Sequence, residues 1–520
     1  MFSRRFMPLL LAGTALVAAQ PVHAQSTDDI GVEILQLLVD EGVIPAQKAQ
    51  DLLAKAKVAA ELRRQREAPP SATTIDVSYV PEATRVELRE QIKKEVIAEA
   101  KTGGWIAPNS MPDWLHGLTI SGDFRLRYQG EFFPKSDPLH QIGNFPSFPD
   151  FNAINAARGV TNAAGFPIIN STIDRHRVRY RARLGLDAKI NDFVSVGLQL
   201  ASGDDAGAIS TNKTLGDYFN KDQIWIDRAF IRLTPIKGVN LIGGRIPNPF
   251  VSTDMVWDPD INPEGVVLNL EHGLGGDRSI FATAGYFPLQ ENEIFGRDRR
   301  FYAGQVGVRG TVIDDVHVEA AAAYYDYQNI NSIKNAPDGS RLNDYTAPGA
   351  LAKGNSLFNM RTDGLTTLAG LASDFNLLNV TGAITYTGFG DTRVRLTGDI
   401  VRNLALISRA DLLRLDSNSL IKPGALGWQV RLDVGQAHVT KRGDWRFAAA
   451  YKRVETDAVL DIFTDSDFGL GGTDVKGYLI EGELGIYKNT SIGVNWYSTD
   501  SIERAPFSVD VLQLNLSTRF

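Results

Sequence analysis

The chain ends with V-D-V-L-Q-L-N-L-S-T-R-F, from Val509 to Phe520, and this stretch decides how the rest is interpreted. Leu512, Leu514 and Leu516 recur at every second position, and polar residues alternate with them. A period of two predicts a β-strand with one apolar face and one polar face. A single strand of this kind fits a soluble β-sandwich as well as a membrane barrel, so the choice depends on the other strands.

The same alternation continues through most of the chain. From Leu118 onward, about sixteen segments alternate apolar residues on one face with polar residues on the other. A count of about eighteen fits the pattern as well. The alternation fails near Asp227 and Arg228, which predicts a β-bulge at that point.

The connections between these segments decide the architecture. Long connections, among them 131–174 and 328–374, alternate with tight ones. Short connections at one rim and long ones at the other are typical of outer-membrane barrels. We therefore predict an all-β fold, a transmembrane antiparallel β-barrel over residues 118–520. The tight connections are Ile190 to Phe193, Thr234 to Val239, Ile313 to Val316, Phe389 to Thr392 and Tyr487 to Thr490.

Residues 1–24 have the features of a secretory signal peptide. Arg4 and Arg5 precede an apolar run over 8–19, and small residues follow where a signal peptidase cuts, so the mature chain is expected to begin at Gln25. No later stretch reaches the roughly 18 to 20 apolar residues of a membrane helix. The exported chain has no cysteine for a disulfide, and its net charge of -7 gives no support for nucleic-acid binding.

Residues 25–104 are predicted to form a periplasmic helical segment. Apolar residues recur at helical spacing over 28–66 and again over 82–101, with charged residues on the other faces. A small helical spacer fits this pattern, and so does a coiled coil that associates with other copies, although the heptads are few. Residues 105–117 contain two tryptophans and are predicted to be a linker at the membrane interface, where aromatic rings settle.

Several motifs carry a resemblance to a known family. They are L-L-V-D-E-G-V-I-P at 37–45, S-G-D-F-R-L-R-Y at 121–128, R-H-R-V-R-Y-R-A-R-L-G-L at 175–186, G-R-I-P-N-P-F at 244–250 and M-V-W-D-P-D-I-N-P-E-G at 255–265. Together with the terminal Phe520, they make nearly the whole chain resemble the Putative porin family of Gram-negative outer membranes and, more distantly, the phosphate-selective porins. The resemblance implies a passive channel for small hydrophilic solutes, often trimeric, with Phe520 as the signal read by the barrel assembly machinery.

Arginines occupy one face of several predicted strands. Because one arginine at the bilayer midplane on the outer face costs about 2 to 4 kcal/mol, these side chains are predicted to line the lumen. They are Arg125 and Arg127 on the first strand, Arg175, Arg177, Arg179, Arg181 and Arg183 on the second, and Arg393 and Arg395 farther along. They would attract anions, unless lumenal carboxylates neutralise them, and both alternatives stay open at this point. The candidate carboxylates are Asp123, Asp187, Asp399, Asp433, Glu481 and Glu483.

The third long connection, residues 246–263, carries Trp257, Asp258 and Asp260, and Glu264 follows it. The alternating oxygen ligands resemble the start of a calcium loop, but a proline stands where that motif requires glycine. We therefore predict no metal site here. We predict instead a proline-stiffened constriction loop that folds inward and is anchored by Trp257.

The sequence favours a channel over an enzyme. Its histidines are scattered without a recognisable catalytic partner, and the zinc motif H-E-x-x-H is absent, so no catalytic residue and no cofactor is predicted. The predicted partners are outer-membrane lipid, the barrel assembly machinery, small hydrophilic solutes or anions, and further copies of the chain in a trimer. The alternative is a structural tether, a barrel with periplasmic helices and little conductance.

Overall fold

The computed structural model describes residues 117–134, 148–204, 207–294, 296–504 and 507–520. The predicted signal peptide (1–24) and the predicted periplasmic helical segment (25–104) lie outside these residues, as does the interface linker apart from Gly117. Among the helices of the described residues, none has both the length and the apolar character needed to cross a bilayer.

Sixteen long strands form one closed antiparallel barrel, as the alternating pattern predicts. They are β1 Leu118–Phe132, β2 Arg175–Lys189, β3 Val194–Ala201, β4 Trp225–Ile236, β5 Val239–Arg245, β6 Glu264–Gly275, β7 Arg278–Gln290, β8 Arg299–Ile313, β9 Val316–Gln328, β10 Asn376–Phe389, β11 Thr392–Asn403, β12 Leu426–Gly435, β13 Trp445–Val454, β14 Val475–Tyr487, β15 Thr490–Ser501 and β16 Ser508–Arg519. Strand β1 pairs with β2 on one side and with β16 on the other, which closes the sheet and leaves it no free edge.

The outer face of the barrel wall is apolar and exposed, whereas the inner face carries buried polar residues. This is the opposite of a soluble sandwich, whose apolar faces are buried. On β16, Leu514 and Leu516 are each 45% exposed, whereas Gln513 on the opposite face is fully buried. The same holds around the wall, where apolar side chains such as Ile480 and Val306 face outward and are half or more exposed. An apolar exterior around a more polar interior is the arrangement expected of a barrel that lies in lipid.

The bulge predicted near Asp227 and Arg228 is confirmed. In the pairing of β3 with β4, Gln199 lies opposite Arg228 and the next residue, Leu200, lies opposite Ile226, so Asp227 is the extra residue. A bulge of this kind lets two consecutive side chains point to the same face of the sheet.

The connections divide into two classes, at opposite ends of the barrel. One end, called the turn end, carries residues 190–193, 237–238, 276–277, 314–315, 390–391, 436–444 and 488–489, and all of these but 436–444 are two to four residues long. The opposite, loop end carries loop 1 (133–174), loop 2 (202–224), loop 3 (246–263), loop 4 (291–298), loop 5 (329–375), loop 6 (404–425), loop 7 (455–474) and loop 8 (502–507). The turn at 276–277, which the sequence analysis missed, depends on positive φ angles at Gly275 and Gly276.

Small elements shape the loops. The helices are α1 Phe151–Ala156, in loop 1, and α2 Arg409–Leu415, in loop 6. The short strands are Phe148–Pro149, Val160–Thr161, Ile168–Ile169, Lys213–Thr214, Leu357–Asn359, Thr366–Thr367 and Ala369–Leu371. Single-turn 3-10 helices span Asn162–Ala164, Asp344–Thr346, Asp461–Phe463 and Phe468–Leu470.

The main hydrophobic core lies inside the barrel, at the loop end. Inward-facing Phe301, Tyr325 and Leu377 of the wall are almost completely buried, and they belong to one cluster with Trp257 of loop 3 and Phe468 of loop 7. Towards the turn end, the inner positions carry ion pairs instead. Examples are Arg309 with Glu271 and Arg395 with Glu319.

The last residue of the chain extends the seam between β1 and β16. The Phe520 backbone N–H donates to the Gly122 carbonyl, and the Gly122 N–H donates to the Phe520 carbonyl, both at 3.0 Å. A side chain at Gly122 would collide with the Phe520 ring, because an added Cβ would lie 2.5 Å from its Cζ atom. Glycine therefore makes room for the aromatic ring at the point where the barrel closes.

Deleting Phe520 is expected to reduce assembly much more than conductance. The deletion removes two hydrogen bonds, each worth about 1 kcal/mol net, together with the predicted assembly signal. Outer-membrane levels of the folded barrel should fall, while the barrels that do form should conduct normally in planar bilayers. Phe520→Tyr, which retains the ring and the backbone contacts, is the matched control. Normal outer-membrane levels of the truncated chain would contradict the prediction.

Candidate functional site

Two rows of arginine lie side by side on the inner face of β1 and β2. On β2 they occupy every second residue, so their side chains share one face. The register of the two strands pairs Arg125 with Arg181 and Arg127 with Arg179. The alternate positions of β1 carry exposed apolar residues such as Phe124. We call Arg125, Arg127, Arg175, Arg177, Arg179, Arg181 and Arg183 the arginine ladder.

Carboxylates accompany most of the ladder. Arg181 and Arg183 share Asp123, at 2.9 and 2.6 Å, and both also lie within 3.6 Å of Asp260 in loop 3. The remaining pairs are Arg177 with Glu131, Arg179 with Asp204 of loop 2 at 3.6 Å, and Arg127 with Asp467 of loop 7 at 2.9 Å. In the described part of the chain, Arg125 and Arg175 make no ion pair; Arg125 donates to the Asn212 side chain at 2.6 Å.

Of the six candidate carboxylates from the sequence analysis, only Asp123 forms an ion pair with the ladder. Three of the others pair with arginines outside the ladder, and two form no ion pair in the described part of the chain. Asp399 accepts hydrogen bonds from Thr253, Asp433 and Glu481 pair with Arg431, Glu483 pairs with Arg446 and Arg519, and Asp187 forms no ion pair within the described residues. The ladder's partners come mostly from loops distant in sequence, which strand alternation does not reveal.

The second predicted arginine pair lies apart from the ladder. Arg395 of β11 donates to Glu319 of β9 at 2.9 Å, and also to the Thr385 hydroxyl. Its neighbour Arg393 has no ion pair in the described part of the chain. Neither residue contacts the ladder, so this arginine pair and the ladder lie at different places on the wall.

Loop 3 lies inside the barrel. The backbone of Val251 exchanges two hydrogen bonds with the Gln305 side chain of β8, at 2.9 Å each. Thr253 donates to Asp399 of β11 at 2.6 Å. Because loop 3 also reaches β2 through Asp260, its contacts lie on well-separated parts of the wall, and only a path through the interior can join them.

Trp257 packs at the centre of the inserted loop. Its indole is only 4% exposed and lies 5.7 Å from the Phe301 ring and 5.2 Å from the Phe463 ring, between centroids. Burial of an aromatic side chain contributes roughly 1.5 to 3 kcal/mol, which here helps to keep loop 3 inside the barrel. Trp257 is the predicted anchor of the loop, and its place in the core supports that prediction.

The bulge in β4 holds the end of loop 3. Both Asp227 and Arg228 point inward there and bind the two ends of one amide group. The Asn262 Nδ2 donates to Asp227 at 2.9 Å, and Arg228 Nε donates to the Asn262 Oδ1 at 2.7 Å. Asn262 is 4% exposed, so both of these contacts lie out of solvent. The irregularity in the strand therefore serves to fasten the loop.

The acidic residues of the predicted constriction loop have different environments. Asp258 is buried and accepts hydrogen bonds from the backbone N–H groups of Asp260 and Ser466, at 2.8 Å each. Burial raises its pKa well above the usual range, and the nearby carboxylates of Asp465 and Asp260 raise it further. Glu264 begins β6, is mostly exposed and pairs with Arg245 at 2.8 Å. Among the described residues, no group of histidines and carboxylates could hold a metal ion.

Loop 7 also lies inside the barrel, which the sequence analysis did not predict. Lys452 of β13 joins it to loop 3, because its Nζ lies 3.0 Å from Asp254 of loop 3 and 3.2 Å from Asp465 of loop 7. Burial raises the pKa of Asp467, but the charge of Arg127 and further hydrogen bonds and charges lower it more strongly, to about 2. The Arg127 guanidinium therefore favours the ionised form of Asp467 beside the ladder.

A family model described as Putative porin matches residues 28–520. Among solved structures, the chain is similar to OprB of Pseudomonas putida, with 11% identity and a TM-score of 0.43 over 79% of this chain and 97% of that one. It is also similar to OmpF of Salmonella typhi, with 10% identity and a TM-score of 0.41 over 78% and 97% of the two chains. A search of the curated proteins found no match. Since the family model spans almost the whole chain, the protein belongs to the Putative porin family, a family of outer-membrane channels.

Proposed function

We propose that the protein is a passive diffusion channel for small hydrophilic solutes, with a preference for anions. A barrel of this strand number is wide enough to enclose an aqueous channel. The observation that carries the proposal is the separation of charge inside the barrel, where the ladder forms one wall and loops 3 and 7 present carboxylates towards it. Charges arranged in this way orient polar solutes and discriminate between ions.

The anion preference rests on the arginines that lack a carboxylate partner. Arg125 and Arg175 form no ion pair in the described residues, so the ladder has a net positive charge after its partners are included. Loop 3, with Trp257, Asp258 and Asp260, is proposed to narrow the passage beside it. Water is scarce at a constriction, and a charge there acts with less screening than on an open surface.

We further propose a homotrimer, which the barrel assembly machinery inserts after reading Phe520. Residues 25–104 would lie in the periplasm and contribute to association between copies. One solved relative, OmpT of Vibrio cholerae, is described as a trimer. Cross-linking of the intact protein in outer membranes, followed by mass determination, tests the trimer directly.

Purified protein is expected to conduct in discrete open steps after insertion into a planar bilayer, because a solute path should run through the barrel interior. Single-channel recording in potassium chloride measures this, and the same preparation after heat unfolding is the control. A correctly folded barrel that never conducts would favour the structural tether instead.

Replacing Arg177, Arg179 and Arg181 together with glutamine should shift the reversal potential in a salt gradient towards cations. The ratio of anion to cation permeability should fall by about twofold or more, because the wall loses positive charge while Glu131 loses its partner and Asp204 keeps only Lys213, at 3.8 Å. Arg414→Gln removes one positive charge from an exposed position on α2 and should leave the potential unchanged. Equal potentials in the wild type and the triple variant would exclude the ladder as the selectivity element.

Lys452→Met should release the inserted loops. The substitution leaves Asp254 and Asp465 buried without a cation, and breaking a buried pair in this way costs about 3 to 5 kcal/mol. The expected result is a larger and noisier single-channel conductance. Lys422→Met, at an exposed position in loop 6, is the control for the loss of a lysine. Conductance and noise identical to the wild type would show that the cluster does not position the loops.

A further inference from the structure

A recess of about 200 Å³ lies in the inner wall of the barrel. It spans β14, β15 and β16, between β13 on one side and β1 on the other. One molecule of liquid water occupies roughly 30 Å³, so the recess has room for several waters or for a small organic solute. Every residue that lines it is an arginine, a glutamate, a serine, an asparagine or a glycine.

The floor of the recess lacks a side chain at its centre. Gly493 of β15 lies opposite Asn515 of β16, which in turn lies opposite Arg127 of β1, so all three positions share the inner face. A Cβ atom at Gly493 would meet only ordinary contacts, the nearest being the Gly482 carbonyl oxygen at 3.4 Å. The wall is therefore hollow here because a glycine occupies an inward position that has space for a larger residue.

Guanidinium groups border the recess on three sides. Arg125 and Arg127 of β1 lie at one edge, Arg446 of β13 lies at the other, and Arg519 of β16 lies towards the turn end. The side chains of Arg446 and Arg519 are 36% and 55% exposed. Their charged groups are therefore accessible to a solute inside the barrel.

Two of these arginines share one carboxylate. Glu483 lies 3.5 Å from Arg446 through one oxygen and 3.9 Å from Arg519 through the other. The Ser491 hydroxyl also donates to Glu483, at 2.7 Å. Because two guanidinium groups lie around a single carboxylate at long distances, one positive charge at this place has no counter-ion of its own.

The remaining charges of the recess do not cancel that positive charge. Glu481 and Asp433 both pair with Arg431, which leaves one net negative charge in that group. Arg127 is paired with a carboxylate of loop 7, whereas Arg125 forms no ion pair in the described part of the chain. Together with the pair around Glu483, the lining and its partners therefore carry one positive charge in excess.

We propose that the recess binds a small hydroxylated monocarboxylate, with its carboxylate on Arg446 and Arg519 and its hydroxyl groups on the polar floor. Guanidinium groups form strong charge-assisted hydrogen bonds with carboxylates, and serine and asparagine side chains can both donate to and accept from hydroxyl groups. Among the described residues, the lining includes no aromatic or aliphatic side chain that would favour an apolar solute. The proposal names a solute class for the proposed channel and rests on that function, because a solute reaches the recess through the barrel interior.

Calorimetric titration of the folded, detergent-solubilised full chain tests the proposal with three small probes. Glycerate has a carboxylate and two hydroxyl groups, propionate has the carboxylate without hydroxyl groups, and glycerol has hydroxyl groups without the carboxylate. Glycerate should bind about fivefold or more tightly than either of the others. The absence of glycerate binding, or equal affinities for glycerate and propionate, would overturn the proposal.

Single-channel recording separates this result from the proposed channel function. A barrel that conducts but does not bind glycerate would contradict the recess proposal alone. A barrel that binds glycerate but never conducts would contradict the channel function alone, since the titration measures binding at equilibrium without current.

Three variants assign the site, each first checked for the folded barrel by circular dichroism. Arg446→Gln should lower the affinity for glycerate to about that of glycerol, because the charge is lost. Gly493→Leu fills the floor without removing a charge and should weaken glycerate binding about tenfold. Arg309→Gln removes a similarly exposed inward arginine that also pairs with a glutamate but does not line the recess, and it should bind as the wild type does.

Unchanged glycerate binding by Arg446→Gln would refute the assignment, and so would an equal loss of binding in Arg309→Gln. Unchanged binding by a folded Gly493→Leu variant would place the solute elsewhere and refute it as well. If Gly493→Leu does not fold, the comparison of Arg446→Gln with Arg309→Gln decides the outcome.

Discussion

Every backbone N–H and C=O group of this chain that lies in lipid must find its partner within the wall, because hydrocarbon offers none. The pairing of β1 with β16 meets this requirement by removing the last two edges of the sheet. Closure also sets the side-chain pattern, since a closed sheet has one face towards lipid and one towards its own interior. The exposed leucines of β16 and its buried Gln513 follow directly from this constraint.

A closed wall leaves an interior that something must fill, and here loops 3 and 7 enter it. Bringing charged loops inside has a cost, because a buried charge without a partner is destabilising by several kcal/mol. Ion pairs between the loops and the wall offset this loss of stability, for example Asp467 with Arg127 and Asp254 with Lys452. The ladder and the loops are therefore one electrostatic unit, and changing either alters the other.

The wall could be predicted from the sequence far better than its interior. Alternation is local, so it revealed the strands and the bulge at Asp227, and it placed the arginines together on one face of their strands. Ion pairs inside a barrel are not local: Asp467 lies 340 residues from Arg127, and only the closed wall brings them together. For the same reason Trp257 could be predicted as an anchor while its partners Phe301 and Phe463 could not. The N-terminal segment predicted to be helical lies outside the described residues, so its helices stay a prediction.

The apolar contacts of the inserted loops mainly stabilise them, whereas the charged contacts mainly fix their position. Burying an aromatic side chain contributes roughly 1.5 to 3 kcal/mol but is tolerant of direction, so Trp257 and Phe468 mainly supply the stability that keeps loops 3 and 7 inside. Ion pairs and amide contacts require particular distances and angles, so Lys452 and Asn262 mainly decide where the loops stop. An interior built only from apolar contacts would hold the loops without fixing their distance from the ladder. Because the core lies at the loop end and the ion pairs lie along the ladder, one barrel combines stably inserted loops with an ordered array of charges on one side of its wall.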